Sequence, residues 1–308
     1  MPSMKAFVTR HAVWTYYMLT FAISWGSFLL VGGQGFFAGT DWQSDTRFVP
    51  AILAMLTGPS ISGLLLIGLL EGKAGYRELL GRLFRWRVGT RWYAVALLTT
   101  PVVMAVMLFV FSRTSPVYLP AIVTSGDTAT LVLIGLLASP FLALPEELGW
   151  TGFAIPRLRK RYGWLSVGLI VGLLWGPWHL LQIVWVSRTM AGTLPQILFF
   201  PLYFLAPTLL AYRVLMVWVY DRAESVLVAV LMHGSYIAST LFIFETPAKA
   251  VWFLISLWTF AAALCALAAA VVRANRRQLS RQPAVTTLPG TGDPQAVKLG
   301  RRIEHPMS

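Results

Sequence analysis

Eight stretches of about 20 predominantly apolar residues, the length a helix needs to cross a bilayer, divide this chain. They run Ala12–Val31, Val49–Leu70, Trp92–Phe111, Thr128–Pro145, Trp164–Val186, Pro195–Tyr220, Ser225–Phe244 and Ala248–Val272. The expected fold is therefore all-α, a polytopic membrane bundle of about eight transmembrane helices. Composition agrees with this. Hydrophobic residues make up 57% of the chain and charged residues only 12%, where a soluble domain carries about a quarter charged. A water-soluble core is excluded, and so is a disordered chain, which needs low hydrophobicity. Short linkers predict one compact bundle over residues 1–273, followed by a basic, disordered cytoplasmic tail at 274–308. The first stretch is long for a signal-peptide core and lacks a small-residue cleavage site, so it reads as an uncleaved anchor. Cys265 is the single cysteine. It excludes an intramolecular disulfide and a Cys-rich zinc site, and it reads as a small buried hydrophobe.

The net charge of +13 raises the question of nucleic acid, and its placement answers it. Lys5 and Arg10 precede the first span. Lys73, Arg77, Arg82, Arg85, Arg87 and Arg91 lie between spans two and three. Arg157, Arg159, Lys160 and Arg161 follow span four, and Arg222 follows span six. The tail holds Arg273, Arg276, Arg277, Arg281, Lys298, Arg301 and Arg302. These are 20 of the 25 basic residues, all on one set of alternating loops. The opposite loops hold Arg47, Arg113, Arg188 and Lys249, and Arg213 lies in or near the end of span six. Basic residues collect on the cytoplasmic side. Both termini are therefore expected in the cytoplasm, the location is the cytoplasmic membrane, and no nucleic acid is implied. One basic segment, Tyr76–Arg87, sets Leu79, Leu80, Leu83, Phe84 and Trp86 between arginines, the pattern of a helix lying in the headgroup region.

A charged side chain at mid-membrane costs roughly 2.5–3.5 kcal/mol on insertion scales, which makes intramembrane ionisable residues functional candidates. Few occur here. Glu146 and Glu147 end the fourth stretch, His179 sits on the fifth and His233 on the seventh; His11 and His305 are terminal. Counted from the nearest basic cluster at 1.5 Å per residue, Glu146, His179 and His233 lie within about 11 Å of one another in depth. A desolvated carboxylate beside imidazole can take a proton from water and deliver it to a leaving amine. A second imidazole can donate to the oxyanion. The same Glu146, His179 and His233 also make a His₂Glu zinc donor set, with Zn²⁺ lowering the pKa of bound water. Helical neighbours point about 100° apart. One glutamate is therefore expected to face the site while the other is held by a donor or faces another helix. Gly168, Gly172 and Gly176 form a small-residue stripe that permits close helix approach, and Pro145 and Pro177 open carbonyls or kink their helices. Trp150, Trp164 and Trp185 read as interface anchors or packing.

The segment Glu146-Glu147-Leu148-Gly149-Trp150-Thr151-Gly152-Phe153-Ala154-Ile155-Pro156-Arg157-Leu158 resembles the first motif of the CPBP intramembrane proteases. These include type II CAAX prenyl endopeptidases and bacteriocin-processing or self-immunity proteins. Trp175-x-x-x-His179 is similar to the second motif and His233-Gly-Ser-Tyr-Ile237 to the third; together they cover roughly residues 125–245. The resemblance implies a bundle opening toward the cytoplasm in which Glu146 and His179 activate water for peptide-bond hydrolysis. His233 would then stabilise the oxyanion and Glu147 support them, with either a metal or a metal-free glutamate mechanism. The expected partner is a membrane-associated peptide or protein substrate. A non-catalytic scaffold or immunity protein of the same fold is the rival reading, and a transporter a weaker one, since no paired half-repeats are seen. The chain departs from the pattern twice. Thr151 stands where the family often has Arg, leaving Arg157 or Arg213 as substitutes, and Ile237 stands where a polar residue is usual, leaving Ser235 or Ser239.

Overall fold

The computed structural model describes residues 4–189, 207–248 and 250–278, and among these every regular element is helical. The helices are Met4–Arg10 (α1), Ala12–Ala38 (α2), Phe48–Leu83 (α3), Thr90–Ser112 (α4), Ala121–Thr124 (α5) and Thr128–Gly149 (α6). They continue with Ile155–Arg159 (α7), Trp164–Trp178 (α8), Leu180–Thr189 (α9), Leu209–Ala223 (α10), Val226–Ala238 (α11) and Ala250–Ala274 (α12). Single wider π turns occupy Trp150–Ala154 and Ser239–Ile243. Among the described residues six helical segments are long and apolar enough to cross a membrane, and α8 with α9 makes a seventh if the pair, bent by 47°, is one span. The chain is a polytopic membrane helix bundle. Of the expected span Pro195–Tyr220, only the part from residue 207 is described; the rest, like the tail beyond 278, lies outside the described residues.

The helix ends follow from local chemistry. Gly39, at φ 67°, closes α2 in the left-handed region, where its N–H bonds the Gly35 and Phe36 carbonyls. Asp127 caps α6 by accepting from Thr130 N (3.0 Å), and Ser225 caps α11 by accepting from Val228 N (3.2 Å). The second expected span runs on past its apolar stretch. At Gly72 (φ 59°, ψ −143°) the chain breaks and doubles back, so that the Tyr76 hydroxyl donates to the Leu64 carbonyl at 2.9 Å. The expected surface helix is therefore residues 73–83, and Phe84–Arg87 lie in the irregular stretch that follows.

Packing places the helices that carry chemistry at the centre. α6 lies against α3 and α11, and α8 against α10. Without a hydrophobic drive between helices in lipid, close backbone approach and dispersion do much of this work. A Cβ added at Gly168 would stand 2.9 Å from Val214 Cα, and one at Gly172 would stand 3.1 Å from Leu210 Cα and 3.4 Å from Arg213 Cβ. The expected glycine stripe thus seats α10, and with it Arg213, directly on α8. Trp150, Trp164 and Trp185 are all fully buried, so they lie within the packed bundle and do not anchor it at the interface. Cys265, expected buried, is exposed because it lies on an outward face of α12, a helix whose spanning window is only 28% buried.

Candidate active site

Adjacent glutamates end α6, and the helix turns them toward different neighbours. Each first meets a donor four residues on. The Trp150 indole N–H donates to Glu146 Oε2 at 3.3 Å, and the Thr151 hydroxyl donates to Glu147 Oε2. The second contacts come from other helices. Glu146 Oε2 also accepts the Trp175 indole N–H at 2.6 Å, while Oε1 accepts no bond from the described residues. Glu147 has neither oxygen free. Arg213 Nη1 donates to both at 3.0 Å, and His233 Nδ1 lies 3.0 Å from Oε1. Exposure follows the same division. Glu147 and Arg213 are 0% exposed, whereas Glu146, His179 and His233 keep 3%, 9% and 3%.

The π turn beneath the glutamates has a cause in the sequence. Pro156 has no N–H and its ring crowds the carbonyl four residues earlier, which is that of Gly152. The turn widens, with Ile155 N bonding Trp150 O, and two carbonyls of the turn meet arginines. Arg82 Nη2 donates to Gly152 O at 3.1 Å and Arg157 Nη1 to Phe153 O at 3.0 Å. Single π turns of this kind recur at functional sites.

The break between α8 and α9 sets His179. Its N–H tightens onto Gly176 O at 3.0 Å, which releases the Trp175 carbonyl, and His179 Nδ1 takes that carbonyl at 2.9 Å. A carbonyl only accepts, so Nδ1 carries the proton and Nε2 is left bare. The Trp178 carbonyl, freed by the same break, is capped by the Trp25 indole at 2.9 Å. On α11, the Tyr212 hydroxyl donates to Met232 O at 2.5 Å, which fixes the backbone one residue before His233.

Trp175 joins these parts. Its N–H holds Glu146, its carbonyl holds His179, and both imidazoles stand edge-on to its ring at 5.3 Å. Its face carries the Arg213 guanidinium at 3.9 Å. Arg213 Nε and Nη2 have no hydrogen-bond partner among the described residues. The structure thus gathers Glu146, Glu147, His179 and His233 from three spans around one indole.

The donor set does not read as a metal centre. Among the described residues no three His, Cys, Asp or Glu side chains form a group able to hold a metal ion. Of the two substitutes for the missing Arg, Arg213 stands at Glu147; Arg157 pairs with Glu71 at 2.6 Å. Ser235 is no substitute for the polar residue absent at Ile237, because its hydroxyl donates to Leu97 O at 2.8 Å. Ser239 is buried without a partner among the described residues. Reading the sequence missed Trp150 and Trp175 as carboxylate donors. The i, i+4 spacing of Trp150 from Glu146 carried a signal; for Trp175, 29 residues away, there was none.

A buried, hydrogen-bonded pair of glutamates with two histidines inside a helical membrane bundle defines a class, the polytopic membrane proteins with an intramembrane polar centre. Comparison narrows it. Residues 128–239 match the family described as Type II CAAX prenyl endopeptidase Rce1-like. A curated relative, the CAAX prenyl protease 2 of Methanococcus maripaludis, is 26% identical over 110 residues, which cover 35% of this chain and 39% of that protein. The matched part thus spans about two-fifths of that relative's length. Over this central part the chain is thus similar to the Rce1-like type II CAAX prenyl endopeptidases.

Proposed function

We propose that this protein is an intramembrane endopeptidase that hydrolyses a peptide bond in a membrane-associated peptide or protein. The observation that carries the reading is the division of duties between adjacent carboxylates. Glu147 is saturated by Arg213, Thr151 and His233 and serves as a fixed countercharge. Glu146 has Oε2 pinned by two indoles and Oε1 free of any bond among the described residues. A water lying between Glu146 Oε1 and His179 Nε2 loses a proton to Glu146 as its oxygen attacks the substrate carbonyl. The new oxyanion meets His233 Nε2. Because its Nδ1 faces the Glu147 carboxylate, His233 can donate to the oxyanion only when the ring carries both protons. As the C–N bond breaks, Glu146 passes its proton to the leaving amine. General acid–base transfer of this kind contributes about 10²–10⁴-fold.

The basic loops support a cytoplasmic face on the side of Arg82 and Arg157. We read the membrane as the cytoplasmic membrane, with both termini inside and the scissile bond in the inner half of the bilayer. The test is direct. Glu146→Gln and His179→Ala should each abolish cleavage of the natural substrate while the protein stays folded in the membrane. That substrate is found by comparing membrane-associated peptides in cells carrying wild-type and Glu146→Gln protein. Full retention of function by both variants overturns the protease reading in favour of a scaffold.

A further inference from the structure

The doubled-back helix 73–83 presents two strips, one inward and one exposed. Gly75, Leu79 and Arg82 face the bundle. A Cβ added at Gly152 would stand 2.7 Å from Leu79 Cδ1, and Arg82 bonds the Gly152 carbonyl and the Tyr220 hydroxyl, each at 3.1 Å. Tyr76, Leu80 and Phe84, at i, i+4 and i+8, form a second strip that is exposed at 38%, 50% and 70%, and Trp86 continues it at 62%. Lys73 and Arg77 flank that strip. Arg87 lies over the Trp86 ring at 4.9 Å and Arg91 over the Trp92 ring at 5.0 Å. Nearby carboxylates are spent elsewhere, Glu78 on Arg82 and Glu224 on Arg85. Among the described residues no carboxylate pairs with Lys73, Arg77, Arg87 or Arg91.

We propose that residues 73–91 form a docking surface for anionic phospholipid headgroups. One membrane-spanning helix ends at Gly72 and the next begins at Thr90, so the segment between them is held at the bilayer surface. There its apolar strip enters the acyl boundary and the unpaired cations lie level with the phosphates. Charge selects the lipid: four unpaired cations and no free carboxylate on the strip favour an anionic headgroup over a zwitterionic one. The inner strip anchors this surface to the π turn below Glu146 and Glu147. The proposal rests on the membrane bundle and is independent of the protease reading.

The experiment uses the full chain in detergent, with phosphatidylglycerol or phosphatidylcholine added and binding read by native mass spectrometry. Phosphatidylglycerol is expected to bind preferentially, and each cation removed from the set Lys73→Gln, Arg77→Gln, Arg87→Gln and Arg91→Gln should weaken it roughly fivefold. These side chains are exposed, so the variants fold. Hydrogen exchange in nanodiscs should show residues 73–91 protected when phosphatidylglycerol is included. Equal binding of the two lipids, undiminished preference in the fourfold variant, or protection confined to other segments would each overturn the proposal.

Discussion

Removing Arg213 probes the centre of the site. Its pair with Glu147 is wholly buried on both sides, unlike a surface ion pair, whose contribution is about 0–1 kcal/mol. Arg213→Met keeps the length of the side chain and deletes the charge. Glu147 is then left in a dry interior with only Thr151 and His233, and breaking a buried pair from one side costs about 3–5 kcal/mol. Glu147→Gln strands the guanidinium instead and should cost a similar amount. In the double variant neither charge remains to be stranded. Its destabilisation should therefore fall short of the sum by about 2–3 kcal/mol, within the range of coupling found for contacting residues. Reversible unfolding of the four proteins in mixed micelles, followed by tryptophan fluorescence, measures the cycle. A further change sharpens it. Thr151 already reaches Glu147 from one helical turn away, so Thr151→Arg should recover part of the stability lost in Arg213→Met. Single costs that simply add, or a Thr151→Arg change that recovers nothing, would refute the claim that a guanidinium holds Glu147.

Two more outcomes follow from the packing and the loops. Gly172→Leu forces α8 from α10, where a Cβ already meets Leu210 Cδ1 at 2.8 Å, and should destabilise by about 1–3 kcal/mol. Gly26→Ala, with open space around it, should not; equal effects in the same unfolding assay would discount the close approach. Asp45, in the loop between α2 and α3, is held well below the usual carboxylate range by the Arg47 guanidinium and then the Thr40 hydroxyl. A depressed folded value means its contribution is complete above the unfolded pKa of about 3.9 and is lost as pH falls through the folded value. Wild type should thus be more stable than Asp45→Asn near neutral pH, with the gap closing in strong acid. A gap that does not change across an acid titration contradicts this assignment.

Much of the fold was legible because hydrocarbon imposes one rule on every span. A helix bonds its own backbone groups, so apolar length alone marked six of the spanning segments and the bent pair α8 and α9. Scarcity of charge marked Glu146, Glu147, His179 and His233 for the same reason, since each is costly at that depth. The break at Gly72 was not legible, because a glycine in a basic loop permits a reversal without requiring it. Nor were the indole donors, because nothing local distinguishes a tryptophan that packs from one whose N–H is needed 29 residues away.

By itself, the sequence determined that this chain is a membrane helix bundle with a polar centre near the end of its fourth span, through span length, cation placement and the rarity of buried charge. Only the tertiary structure decided which carboxylate is held and which oxygen stays free. Glu146 and Glu147 are chemically identical neighbours about 100° apart on one helix. What separates them is that the glycines of α8 let α10 approach closely enough to bring Arg213 to Glu147, while Trp175 turns its N–H to Glu146.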